Sequence, residues 1–319
     1  MTRSETSVVV LAGGLSHERD VSLRSGRRVA EALRAAGVDV SVSDIDAGLL
    51  PTLAADPPGV VVPLLHGASG EDGALRDVLG MLGLPYVGSG PQACRVAFDK
   101  PTAKSAVAEA GLSTPASVTL PQTTFRELGA AAVMTALLDT LGLPLMVKPA
   151  RGGSSLGAAV VRTPDELPAA MVGCFSYGDT ALVERFVSGV EVAVSVVETD
   201  GGPAALPVVE IVPDGGFYDY SARYTAGATE FFAPARLDPA VAARCAAAAV
   251  TAHRALRLRD LSRTDLVVDD AGVPWFLEVN VAPGMTETSL FPQAAAAGGQ
   301  DLGTLWRGLV ERASARGHR

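Results

Sequence analysis

Three short β-branched runs near the start of the chain, at residues 7–11, 38–42 and 60–65, constrain its fold more than any other feature. The first ends at Gly13-Gly14, a tight turn, and the third ends at His66-Gly67. Between the first and second runs Val21, Val29 and Leu33 recur at helical spacing over about residues 21–36, and Gly37 closes the segment. A further helix is expected over about residues 73–82, before the loop Gly88-Ser89-Gly90. Strands that alternate with helices call for a parallel sheet covered on both faces, an α/β unit of about residues 1–97.

A second unit is expected over residues 98–187. It carries helices near 101–111 and 127–141, a strand at 144–147, a glycine-rich loop at 150–157, and strands at 158–161 and 181–187. The last unit, 188–319, has strands near 191–197, 206–212, 264–269 and 274–279, and helices near 238–257, 287–297 and 301–314. There is no internal repeat and no low-complexity linker.

Composition narrows the function. The 319 residues leave room for two or three subdomains, and 48% hydrophobic against 19% charged residues is an ordinary globular balance. A formal charge of -9 argues against sequence-independent binding to nucleic acid or to an anionic membrane. A nucleotide substrate stays open, since it needs only a local cluster of cations. Cys94, Cys174 and Cys245 are too sparse for a disulfide framework and are not spaced as metal ligands. No signal-peptide core follows Met1, and the longest apolar runs are strand-sized, so a cytoplasmic protein is expected.

No G-x-x-x-x-G-K-[ST] run occurs, which excludes a P-loop, and Gly13-Gly14 lacks the third glycine of a dinucleotide fingerprint. In the segment Lys148-Pro149-Ala150-Arg151-Gly152-Gly153-Ser154-Ser155-Leu156-Gly157, a cation at a strand end precedes glycines that let backbone N–H groups reach an anion. It reads either as a lid over a triphosphate or as a glycine-rich hairpin turn. Arg263-Thr264-Asp265 and Glu278-Val279-Asn280 each place two polar side chains on one strand face. If those strands pair, three oxygen donors and a guanidinium converge, a set suited to Mg²⁺ beside phosphates. A solvated cross-strand ion pair would explain Arg263 and Asp265, but not a carboxylate and an amide beside a glycine turn.

The ordered series resembles a known family closely. It runs Gly13-Gly14-x-Ser16-x-Glu18-Arg19-x-Val21-Ser22, Leu65-His66-Gly67, Gly70-Glu71-Asp72-Gly73, Asp99-Lys100, Lys148-Pro149 with Gly153-Ser154-Ser155-x-Gly157, Phe217-Tyr218-Asp219-Tyr220 with Tyr224, Arg263-x-Asp265, and Glu278-x-Asn280 with Pro283-Gly284-Met285-Thr286-x-x-Ser289. In this order, over about residues 8–310, it resembles the D-alanine–D-alanine ligases of the ATP-grasp superfamily. Each piece is weak alone; the full series is specific.

The resemblance implies an ATP-grasp architecture: an N-terminal parallel-sheet domain that binds substrate, a small central α+β lid domain and a C-terminal α+β catalytic domain. It implies ATP-dependent joining of two D-alanine molecules through an acyl phosphate, for peptidoglycan precursors, by a cytoplasmic homodimer. ATP would meet Lys100, Lys148, Ser155 and Arg223, with Glu184, Phe186 and Val187 at the adenine and Glu191 at the ribose. Asp265, Glu278 and Asn280 would hold two Mg²⁺ ions, with Mn²⁺ as a substitute. Glu18 would hold the first substrate's ammonium with His66 nearby, although a lone histidine at a strand end also has a structural reading. Arg263 and the N–H of Gly284 would stabilise the oxyanion. Ser289 would bind the second substrate's carboxylate and Leu290 would suit its methyl group. Residues 217–229 would close over the site, Tyr224 bonding toward Ser154 and Glu18.

Two positions depart from the family pattern: Arg223 where lysine is usual and Val281 where threonine is common. The competing readings are a ligase of D-alanine with another D-amino or D-hydroxy acid, a nicotinamide oxidoreductase on the Gly13-Gly14 turn, and a silent nucleotide-binding homologue. The last two leave the assembled C-terminal set unexplained.

Overall fold

In the computed structural model, residues 7–215, 218, 225 and 227–317 are described. The chain opens with β1 (Val8–Leu11), α1 (Arg19–Ala35), β2 (Val40–Ser43), α2 (Leu49–Ala55) and β3 (Val60–Pro63). The strands form a parallel sheet in the order β2-β1-β3. Val10 and Val62 face one core, with Leu33 of α1 and Trp306 from near the C-terminus. Leu11 and Val61 face a second, with Leu53 of α2 and Leu79. The sheet is thus covered on both faces, as the alternation predicts.

Four helices follow: α3 (Ala68–Glu71), α4 (Ala74–Met81), α5 (Pro91–Phe98) and α6 (Lys100–Glu109). The central sheet is built from β4 (Ser117–Pro121), β5 (Leu145–Pro149), β6 (Ala159–Val161) and β7 (Thr180–Arg185) in the order β4-β7-β5-β6. Helices α7 (Gln122–Leu128), α8 (Ala130–Leu141) and α9 (Leu167–Phe175) belong to this unit. It has a core of its own, with Phe125, Leu145, Val147, Leu167 and Val183. The single helix expected at 127–141 is broken at Gly129, whose φ of 87° takes the chain out of the helical region. Helix α9 escapes sequence reading because LPAAMVGCF has no polar face to set a period.

The third sheet holds β8 (Val190–Thr199), β9 (Gly202–Ala205), β10 (Val209–Pro213), β11 (Thr229–Phe232), β12 (Leu261–Val268) and β13 (Pro274–Asn280). Its order is β11-β10-β8-β12-β13, with β9 paired to β8, and every pairing is antiparallel. Helix α10 (Pro239–Ala255) covers one face through Cys245, Ala249 and Ala252, joined there by Ala103 and Val107 of α6. Helices α11 (Leu290–Ala297) and α12 (Leu302–Arg316) lie on the other side, where Phe291 and Trp306 share the core under β1 and β3. One hydrophobic core therefore joins the first and third units. Among the described residues, no helix is long and apolar enough to cross a membrane.

Candidate active site

β12 is buried along its whole length between β8 and β13. Arg263 stands opposite Asn280 and Asp265 opposite Glu278, the pairing that the two tripeptides require if they are to meet. The register then shifts between Asp265 and Leu266, which opens an extra residue in β13. That bulge has a consequence for the site. Phe276 and Val279, three apart, both enter the core under α10, which strict alternation forbids. With the extra residue between them, Glu278 and Asn280 share the face of Arg263 and Asp265.

The Arg263 guanidinium makes a fork onto Asp265, Nε to Oδ1 at 2.7 Å and an Nη to Oδ2 at 2.9 Å. Burial opposes the Arg263 charge, but the Asp265 carboxylate outweighs it and holds the guanidinium protonated. The Asn280 Oδ1 accepts from the Ala282 N–H at 2.8 Å, which starts the turn after β13. Glu278 reaches Lys100 Nζ at 3.3 Å.

A cavity of about 560 Å³ lies between the central and third sheets. Its volume suits a nucleotide-sized ligand. Lys100, Lys148, Ser155, Glu184, Phe186, Val187 and Glu191 all line it, as do Asp265 and Glu278. Asn280 is not among the lining residues. Lys148 Nζ lies 2.5 Å from Glu184 Oε1, and Lys104 Nζ bonds the other oxygen. Burial would raise the Glu184 pKa, yet the two lysines outweigh it and keep the carboxyl ionised. Burial also works against the Lys148 charge, and there Glu184 and Glu278 prevail. For Lys104 burial wins, and its pKa falls.

The glycine loop above this cavity adopts backbone that side chains rarely take: Ser154 and Ser155 have φ of 53° and 56°. Such residues persist only where surrounding contacts hold them. Ser154 Oγ donates to Glu18 of the first unit, Ser155 Oγ donates to the Tyr218 carbonyl at 3.1 Å, and Lys100 Nζ donates to the Gly152 carbonyl at 2.6 Å. On the first unit, Ser22 Oγ takes the Gly13 N–H at 2.8 Å and donates to the Leu64 carbonyl at 2.7 Å, tying the β1 turn to the end of β3. Asp44 receives the Gly14 N–H and the Arg19 guanidinium; that bond to Arg19, helped by Gly14, brings its pKa down to about 2.

Glu71 is buried beside this turn and accepts the Gly67 N–H at 2.9 Å. Burial, then the Glu18 charge, pushes its pKa up to about 8. His66 is also buried, with Nδ1 3.0 Å from the Ala282 carbonyl and Nε2 3.5 Å from Ser25 Oγ. Desolvation lowers its pKa, leaving a neutral ring. Gly284 sits against Ser289: a Cβ there would lie 2.8 Å from Ser289 Oγ. Ser289 Oγ takes the Thr286 N–H at 2.9 Å, and Leu290 beyond it is packed into the core shared by the first and third units.

Glu18, Ser154, His66, Gly284, Ser289 and the strand quartet thus converge from three units. Tyr224 and Arg223 lie outside the described residues, as does most of the loop expected to close the site. Sequence reading missed Lys104, Ser25 and the Arg236–Glu210 fork of 2.7 and 3.0 Å in the cavity wall. Their local surroundings carry no motif; their roles come from partners distant in the chain.

The chain matches the family model described as D-ala D-ala ligase C-terminus over residues 106–311. It is 42% identical to the D-alanine--D-alanine ligase of Bordetella petrii, over 98% of this chain and 93% of that protein. Among solved structures, the VanG D-Ala:D-Ser ligase of Enterococcus faecalis superposes with a TM-score of 0.84 at 29% identity, covering 97% of this chain and 100% of that one. The D-alanine--D-alanine ligase of Bacillus anthracis complexed with ATP gives 0.81 at 28% identity, covering 98% of each chain. A family model across most of the chain and a relative of this identity along nearly all of it lead to one conclusion: the chain belongs to the D-alanine–D-alanine ligase family.

Proposed function

We propose that this protein joins two D-alanine molecules to D-alanyl-D-alanine at the expense of ATP. The observation that carries the proposal is the β12–β13 register, which sets Arg263 opposite Asn280 and Asp265 opposite Glu278, with Asp265 and Glu278 in the wall of a nucleotide-sized cavity.

In this reading ATP lies in the cavity with its phosphates toward Lys100 and Lys148. The lysines now held by Glu278 and Glu184 supply the countercharge there. Glu184 acts mainly by fixing Lys148, since both its oxygens are engaged by lysines. Phe186, Val187 and Glu191 take the adenine and ribose. Among the described residues no three His, Cys, Asp or Glu side chains group as a metal site. Two carboxylates and the Asn280 amide oxygen fit instead an ion that takes its remaining oxygens from phosphate and water, as Mg²⁺ does. Asp265, Glu278 and Asn280 would hold it, and once bound it neutralises phosphate charge.

The first D-alanine's carboxylate attacks the γ-phosphorus, ADP leaves, and an acyl phosphate forms. Glu18 binds that substrate's ammonium beside Ser154. The second D-alanine, its carboxylate at Ser289, attacks the acyl carbon as a free amine. The carbon–oxygen bond to phosphate breaks, and the amine's proton is lost. Arg263 and the Gly284 N–H face the oxygen that becomes negative in between. Residues 98–187 act as a lid. The working unit is a cytoplasmic homodimer serving peptidoglycan synthesis.

Phosphate release from ATP and Mg²⁺ with D-alanine, compared with L-alanine, D-serine, and D-lactate plus D-alanine, tests this directly when product masses are read. D-alanine alone is expected to give the dipeptide. Turnover only with a mixed pair would move the specificity to another acceptor, and silence in every arm would overturn the ligase reading.

A further inference from the structure

Ser25 belongs to none of the motifs above, yet it stands where the first unit meets the turn that carries Gly284. Its side chain is fully buried in α1, two turns from Glu18. Its Oγ accepts the Met285 N–H at 3.0 Å, across 260 residues of chain. The same Oγ faces His66 Nε2 at 3.5 Å. His66 Nδ1 lies 3.0 Å from the Ala282 carbonyl, which can only accept, so the ring proton is on Nδ1 and Nε2 is the acceptor. The Ser25 O–H therefore has a ready acceptor in His66 while its oxygen holds Met285. The two ends of the segment 282–285 are gripped from one side, one by each residue, and Gly284 is the peptide next to the Ser25 bond.

This grip has no counterpart in packing alone. Met285 is fully buried and would stay so without a hydrogen bond. What the bond adds is the orientation of the 284–285 backbone. Displacement of a catalytic donor by a fraction of its bond length is costly to a transition state and cheap to a ground state.

We propose that Ser25, acting with His66, is a positioning residue for the second chemical step. It holds the 282–285 turn so that the Gly284 N–H meets the oxygen of the tetrahedral species. The inference rests on the ligase reading above, and predicts that loss of the Ser25 oxygen slows attack of the amine without slowing acyl phosphate formation.

The experiment uses the full chain and two variants, Ser25→Ala and Ser25→Cys. Cysteine refills the space but is a weak acceptor, so it separates hydrogen bonding from packing. Dipeptide turnover is measured beside positional isotope exchange in ATP labelled with ¹⁸O at the β,γ-bridge, which reports reversible acyl phosphate formation. In both variants kcat for dipeptide is expected to fall about tenfold or more, with the KM for ATP within about twofold. The ratio of exchange to turnover is expected to rise at least about fivefold. An unchanged ratio, or a cysteine variant that behaves as wild type while alanine does not, overturns the positioning role. A wild-type protein that makes no dipeptide sinks the ligase reading instead, so the two failures are told apart.

Discussion

At the scale of single residues, the least ordinary group is Glu71. It is 9% exposed, and its pKa is raised from an ordinary 4.5 to about 8 by burial and then by the Glu18 charge. The sign follows from linkage. The folded state keeps its proton where the unfolded chain loses it, so stability falls as pH rises from about 4.5 to about 8. Glu71→Gln keeps an acceptor for the Gly67 N–H and has no proton to lose. Relative to wild type it should gain on the order of a few kcal/mol between pH 5 and pH 8. Thermal unfolding at both pH values checks this; equal differences at the two would mean that Glu71 is ionised throughout. The sequence displays Glu71 inside Gly70-Glu71-Asp72-Gly73, but its neutrality depends on Glu18, 53 positions away, and on burial.

At the scale of elements, α1 matters because it carries Glu18 at its start and Ser22 and Ser25 along one face. Gly26 lets that face lie against β1: a Cβ there would come within 2.4 Å of the Ala12 Cβ. Helix propensity favours alanine over glycine by about 1 kcal/mol. An overlap of this size between the helix and the buried residue that follows β1 costs about 1–3 kcal/mol, and it should win. Gly26→Ala is therefore expected to lower the denaturation midpoint and to reduce turnover by moving Glu18 and Ser25 together. A stabilised variant of full activity would show that α1 slides freely. The helical period of α1 is plain in Val21, Val29 and Leu33, and so is its burial stripe. Contact with β1 is not, because a glycine within a helix signals equally a weak point and a close approach.

At the scale of the whole molecule, the first and third units are bound by more than their shared core. Asp260, fully buried with φ of 65°, accepts the Gly88 N–H at 2.7 Å and a fork from Arg316 at 2.7 and 2.9 Å. It thus joins the end of α12 to the loop between α4 and α5. Asn tolerates this backbone but removes the charge, so Asp260→Asn leaves Arg316 uncompensated beside Arg259. Arg316 is 24% exposed, so losing these charge-assisted bonds should cost roughly 1.5–3 kcal/mol in denaturant unfolding. A loss below about 1 kcal/mol would mean that the pair is solvated in solution. The central unit keeps a separate core.

The chain by itself determined the parallel character of the first sheet, the existence and place of most strands and helices, and the one-face pairing of Arg263 with Asp265 and of Glu278 with Asn280. These are local properties: periods of 2 and 3.6 residues are written in adjacent positions. Only the tertiary structure decided that Arg263 faces Asn280, that a bulge between Phe276 and Glu278 turns the two faces to one side, that Glu184 is spent on Lys104 and Lys148, and that Ser25 reaches Met285. Strand register, burial and the ionisation that follows from burial depend on groups brought together from far along the chain, so no stretch of neighbouring residues contains them.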